Sequence, residues 1–261
     1  MTISLIIAIT ILFVILLTIT IVKIDKFTTY NININLISPT EACKILSGNT
    51  QYFAQMSEID WKARHTTMNE YTNLIKEAVT IPPWYKLSMI HDNVTRDIKQ
   101  IVNIVKTSDN FKNLPWFDVH KFTNMDWSII YVKGTDYENG FHHTLDKYIV
   151  LNIDRIIPIE TIFHEQIHVY QRRYPELYKI YVEDNSFREV SEISSHPMNA
   201  VNPDNPFPGK IYEHHGQPAQ TRYTNEDNPD MGETNSCSHE CEPYEQQAYS
   251  LQKLLLNSIN L

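Results

Sequence analysis

The chain has 261 residues, 20% of them charged and 42% hydrophobic, with a formal charge of 22 − 31 = −9. This composition excludes a collagenous or wholly disordered chain, and three cysteines are too few for a disulfide framework. The acidic balance argues against nucleic acid as a partner, because phosphate neutralisation needs a cationic surface, and six glycines leave no Gly-rich phosphate loop.

In chain order, the first feature is an uncharged run of twenty residues from Ile3 to Val22. As a helix it would span about 30 Å, the thickness of a bilayer's hydrocarbon core. A cleaved signal peptide would need basic residues before the run and small residues after it. Here the run is followed by Lys23-Ile24-Asp25-Lys26-Phe27, so a retained single-pass membrane anchor is predicted within residues 1–24. Lys23 and Lys26 favour a cytosolic body, but two lysines against one amino terminus leave the side of the membrane open.

Residues 25–37 read as a linker and 38–125 as a helical lobe. Ser38-Pro39-Thr40-Glu41 is a helix start, giving a helix over 39–47 that ends near Gly48. Further helices are predicted over 55–79 and 84–107, the second carrying Ile98, Ile101, Val102 and Val105 at helical spacing. Trp61, Trp84, Trp116 and Trp127 are expected to anchor the core.

After Pro115 the texture changes, and residues 126–261 form the predicted catalytic region of an α+β protein. Ser128–Val132 and Tyr148–Asn152 are β-branched runs that read as strands, separated by a turn-rich stretch from Gly134 to Gly140 and then His142 and His143. Residues 196–236, rich in Pro, Asn, Asp and Gly, are predicted to form a long ordered loop or meander. An amphipathic helix from Pro243 to about Asn257 closes the chain.

The chemistry is carried by Phe163-His164-Glu165-Gln166-Ile167-His168. Residues four apart share a helix face, so His164 and His168 can reach one zinc ion. Glu165 then stands beside the metal, where its carboxylate can take a proton from an attacking water and return it to a leaving amine. The helix is bracketed by Pro158, by Glu160 in the first turn and by Pro175. Two histidines merely satisfied on a helix surface are the bland alternative.

With this motif the sequence resembles the zincin metallopeptidases over roughly residues 128–257. The resemblance implies a small mixed sheet whose edge strand binds substrate antiparallel, near Asn139 to Thr144, above a cleft floored by the motif helix. Tyr52-Phe53, the segment Ile59 to Arg64, and Asn202-Pro203-Asp204 are similar to an uncharacterised zincin-like family of large DNA viruses and algae. Metzincins would require His or Asp and a Gly beyond the second histidine, where this chain has Gln171 and Tyr174. Gly134-Thr135-Asp136 lies on the wrong side of the helix for an aspzincin. Of the glutamates a gluzincin could use, Glu192 is followed by Ser194-Ser195-His196-Pro197, which continues a helix poorly, and Glu242 sits at a helix boundary. Glu245, just inside a helix begun by Pro243 and followed three residues on by Ala248, is the expected third ligand.

Tyr212, His214, His215, Arg222 and Tyr223 are candidates to stabilise an oxyanion, each with a plainer reading as a loop or packing residue. Cys237 and Cys241, flanking His239, stay open between free thiols, a disulfide (with Cys43 a further partner) and a metal site. The expected function is a membrane-anchored, zinc-dependent metallopeptidase acting on a peptide or protein, with Glu165 as general base. The rivals are a zinc hydrolase of a non-peptide amide and an inert zinc-binding membrane protein, in which Glu165 could be changed without consequence.

Overall fold

The computed structural model of the protein describes residues 32–83, 85–190, 200–207, 210–232, 234–235 and 242–259. The apolar run at 3–22, Trp84, Glu192 and the cluster from Cys237 to Cys241 lie outside these residues. Among the described residues no helix is long and apolar enough to cross a membrane.

The described chain begins with strand β1 (Ile34–Leu36), inside the stretch expected to be linker. The alternating Asn and Ile of that stretch is a period-two pattern, which is a strand signal and pairs here with Trp127–Ile129. Helix α1 (Pro39–Ser47) follows, with the Ser38 hydroxyl accepting the Glu41 N–H at 3.3 Å. A short α2 (Thr50–Phe53) comes next, and the helix expected over 55–79 is instead broken into α3 (Glu58–Ala63) and α4 (Met68–Val79). The cause is local. Ser57 with Asp60, and Thr67 with Glu70, form two capping boxes, and each starts a new helix. Helix α5 (Leu87–Thr107) buries Val94, Ile98, Ile101, Val102 and Val105, and the short α6 (Val119–Thr123) leads into the sheet.

The sheet contains β1, β2 (Trp127–Val132), β3 (His143–Leu145) and β4 (Tyr148–Asn152) in the order β1-β2-β4-β3. β1, β2 and β4 are parallel and β3 runs antiparallel along the edge, so the protein is α+β with a small mixed sheet. Ile130, Val132 and Val150 pack with Leu46, Tyr71 and Ile75 from α1 and α4. Ile129, Tyr131, Ile149 and Leu151 alternate to the opposite face. There the motif helix α7 (Ile159–Arg173) lies against β3 and β4, flanked by α5 and by the closing helix.

Helix α8 (Pro175–Asp184) starts where Pro175 was expected to end the motif helix, since proline suits a first helical turn as well as it stops a preceding one. It leads to β5 (Phe187–Val190), which pairs with β6 (Ile211–His214) and then β7 (Gln217–Pro218). A separate pair, β8 (Arg222–Tyr223) and β9 (Thr234–Asn235), follows. The stretch expected to be a long ordered loop or meander contains four of these strands, all in antiparallel pairs. At two to four residues each they are too short to show a period. Helix α9 (Pro243–Ile259) closes the chain, burying Tyr244, Gln247, Ala248, Leu251 and Leu255.

Of the four tryptophans, Trp127 is fully buried, while Trp61 and Trp116 are partly buried at the margins of core clusters.

Candidate metal centre

The motif helix is held by aromatic packing. Phe163 meets Phe122 and Phe111 with ring centroids 5.4 and 6.0 Å apart, and Tyr170 meets Phe117 at 5.2 Å. These contacts fix the rotation of α7, and with it the direction of His164, Glu165 and His168.

His164 and His168 converge through their Nε2 atoms, 3.0 Å apart. Glu245, from α9, meets them with Oε2 3.2 Å from His164 Nε2 and Oε1 3.8 Å from His168 Nε2. Ligand atoms around a tetrahedral zinc, at bond lengths near 2.0–2.1 Å, stand about 3.3 Å from one another. The three residues therefore fit a zinc ion in both donor type and spacing. Two imidazole nitrogens and a carboxylate facing one another call for positive charge between them. Burial pushes His164 down, yet its hydrogen bond to Glu245 and the Glu245 charge outweigh this and raise it. His168, more deeply buried, is pushed well below the usual histidine range despite Glu245. Burial would raise Glu245, but the two histidines hold it low.

An outer ring of three side-chain amides holds the three candidate ligands. Gln171 Oε1 lies 2.9 Å from His168 Nδ1, and Gln252 Oε1 lies 3.1 Å from His164 Nδ1. Asn202 Nδ2 donates to Glu245 Oε1 at 3.0 Å. Partners of this kind set ring orientation and tautomer in metal sites. A second group of donors, Glu165, His168 and Asp204, also lies close together. With Nδ1 engaged by Gln171, His168 has one nitrogen to offer, so it cannot serve both groups at once.

Glu165 is buried and accepts from Thr144 Oγ1 at 2.8 Å. Burial raises its carboxyl to about 7, against the opposing pull of His164 and Thr144. Asp204 accepts the Thr144 N–H, and its own N–H is held by Asn202 Oδ1 at 2.9 Å. It too is raised, by burial and by the charges of Glu165 and Glu245.

His164, Glu165, Glu245, Asn202, Asp204 and Gln252 line a cleft of about 560 Å³ that also includes Phe141, His143, Tyr223, Glu242 and Tyr249. A neighbouring cavity of about 610 Å³ shares Asn202 and Pro203 but none of the three ligands. Of the five oxyanion candidates only Tyr223 reaches the cleft, and its hydroxyl donates to Asp60 at 2.9 Å. Tyr212 is packed in a separate cluster with Tyr178 and Phe187, and His214 stacks between Phe187 and His215. Glu242 lines the cleft but accepts from Tyr244 and Thr221, outside the ligand group.

Behind the cleft lies a buried polar network. Arg64 Nε donates to both oxygens of Glu138 at 3.2 Å, and its Nη2 donates to Tyr52 Oη at 2.8 Å and to the Val201 carbonyl at 3.1 Å. Tyr52 and Tyr71 donate to Glu138 as well. Glu138 and Asn139 adopt φ of 48° and 51°, followed by Gly140 at 69°. A side chain at Gly140 would meet Asn152 Nδ2 at 2.9 Å, so glycine is required where this turn brings Glu138 inward.

Sequence reasoning missed Thr144, Gln171, Gln252, Asn202 and Asp204 as site residues. Two of these carried a signal. Gln171 is three residues beyond His168, which it contacts, and Gln252 is seven beyond Glu245, which puts it on that residue's helix face and within reach of His164. Comparison of the chain with protein-family models, with curated proteins and with solved structures finds no match.

Proposed function

We propose that the protein is a membrane-anchored, zinc-dependent metallopeptidase of gluzincin type, tethered through residues 3–22. The observation that carries this reading is the convergence of His164, His168 and Glu245, at 3.0–3.8 Å, on one point of a cleft that also holds Glu165. The parallel strands with an antiparallel edge strand beside the motif helix support a zincin-like catalytic domain.

Zinc, when bound by the three ligands, supplies Lewis acidity that lowers the pKa of water to about 7. Glu165 takes one proton from the attacking water and returns it to the leaving nitrogen as the C–N bond breaks. Burial raises its carboxyl, which favours its holding that proton between the two transfers. Thr144 aims its carboxylate, and Gln171, Gln252 and Asn202 hold the ligands in place.

A second reading, hydrolysis of a non-peptide amide, is favoured by one contact. The Thr144 N–H on edge strand β3, a donor that an extended peptide would use, is taken by Asp204.

The test is metal content and hydrolysis together. The purified protein is expected to hold one zinc and to cleave an unstructured protein substrate, with loss on chelation and recovery on adding zinc. His164→Ala and His168→Ala should each abolish zinc binding. Full zinc content in the double variant would refute the centre.

A further inference from the structure

We infer that Gln171 is a positioning residue, whose single amide fixes the tautomer of His168 and seats the helix that carries Glu245. Its importance for zinc rests on the function proposed above, but its geometry does not.

The argument starts at Tyr244. Its backbone carbonyl can only accept, so the Gln171 group 2.8 Å away must be the nitrogen. That nitrogen also reaches Gln247 Oε1 at 3.0 Å, which uses both of its hydrogens. The amide oxygen is therefore turned to His168 Nδ1, 2.9 Å away, and it can only accept. Nδ1 must carry the hydrogen, and Nε2 keeps its lone pair. That lone pair belongs to the atom 3.0 Å from His164 Nε2. Gln171, His168 and Gln247 are all fully buried, so bulk water does not compete for these bonds.

Only an amide can occupy this position. A carboxylate would place an oxygen against the Tyr244 carbonyl with no hydrogen between them. An apolar side chain would leave His168 Nδ1 and the Tyr244 carbonyl buried without this partner. The amide also joins two helices at the point that matters, because Tyr244 immediately precedes Glu245 in the first turn of α9. One side chain thus governs a ligand on α7 directly and a ligand on α9 through the backbone.

The test uses the full-length protein labelled with 15N-histidine and freed of metal. Long-range proton–nitrogen correlation shows which ring nitrogen of His168 carries hydrogen. The wild type should show Nδ1–H. Gln171→Met, similar in volume, should lose that tautomer while keeping its circular dichroism. Its zinc affinity should fall by about 10–100-fold, the usual cost of losing an outer partner of a ligand. A wild-type His168 protonated on Nε2 overturns the inference without any variant. So does a Gln171→Met protein that keeps both the Nδ1–H form and the wild-type affinity, since Gln171 would then be packing alone. If the wild type binds no zinc, the proposed function fails, and the tautomer still decides whether Gln171 positions His168.

Discussion

Thr144 on the edge strand and Glu165 on the motif helix are joined by one hydroxyl, which lies 2.8 Å from Glu165 Oε2 and 3.0 Å from the Glu165 carbonyl oxygen. The edge of the sheet is thereby tied to the carboxylate of the motif. Burial raises Glu165, and the Thr144 hydrogen bond opposes that rise by favouring the charged form. Thr144→Val keeps the shape and removes the bond, so Glu165 should titrate higher. The acid limb of kcat/KM is expected to move to higher pH by about 1 pH unit, the worth of one hydrogen bond to a charged group. A pH–rate profile checks this, and an unmoved acid limb would separate Thr144 from the titration of Glu165.

Glu165 itself stands outside the trio of His164, His168 and Glu245. Glu165→Gln should therefore retain zinc but lose at least about 100-fold in rate, the low end for general acid–base catalysis. Metal analysis beside steady-state kinetics reads both. Loss of zinc from this variant would make Glu165 a ligand and end its assignment as base.

The motif helix was legible because its signals are local: two histidines four apart, an apolar face, and prolines at both ends. The place of Glu245 in the first turn of a helix was legible from Pro243, whereas its expected role beside the histidines came from the resemblance to gluzincins. Asn202 and Asp204 were not legible as site residues. They reach Glu245 and Thr144 across 43 and 60 residues of chain, from a segment with no period to place it. The break of the 55–79 helix was written in Ser57–Asp60 and Thr67–Glu70, but apolar periodicity conceals such caps when it is read first.

Asp204 separates the two substrate readings. Its carboxylate holds the Thr144 N–H on the edge strand. If extended peptides add along β3, Asp204→Ala frees that donor, and KM for a peptide should fall by about fivefold, the worth of one ordinary hydrogen bond. A small amide substrate should show no such gain. Equal KM values for the peptide in both proteins would favour the non-peptide reading.

The buried network behind the cleft gives a stability prediction with a defined pH dependence. Arg64 and Glu138 are each about 1% exposed and meet at 3.1 Å. Burial alone would raise Glu138, but the Arg64 charge leads the interactions that hold it below its ordinary value. A carboxyl lowered in the folded state contributes stability above its unfolded pKa, and that stability is lost as pH falls through the folded pKa. Arg64→Met reverses the sign, because burial then dominates and Glu138 is raised. Above its raised pKa the variant's carboxylate is left buried with its tyrosine hydrogen bonds but without its counter-ion, a cost of about 3–5 kcal/mol. As pH falls towards 5, Glu138 takes up a proton in the variant and the deficit against wild type should shrink. Adding Glu138→Gln to the variant should recover part of the loss at pH 7.5 and almost none at pH 5. Urea unfolding at the two pH values measures this, and a deficit of equal size at both would mean that Arg64 stabilises through packing and its bonds to the Val201 and Asp60 carbonyls, not through the charge of Glu138.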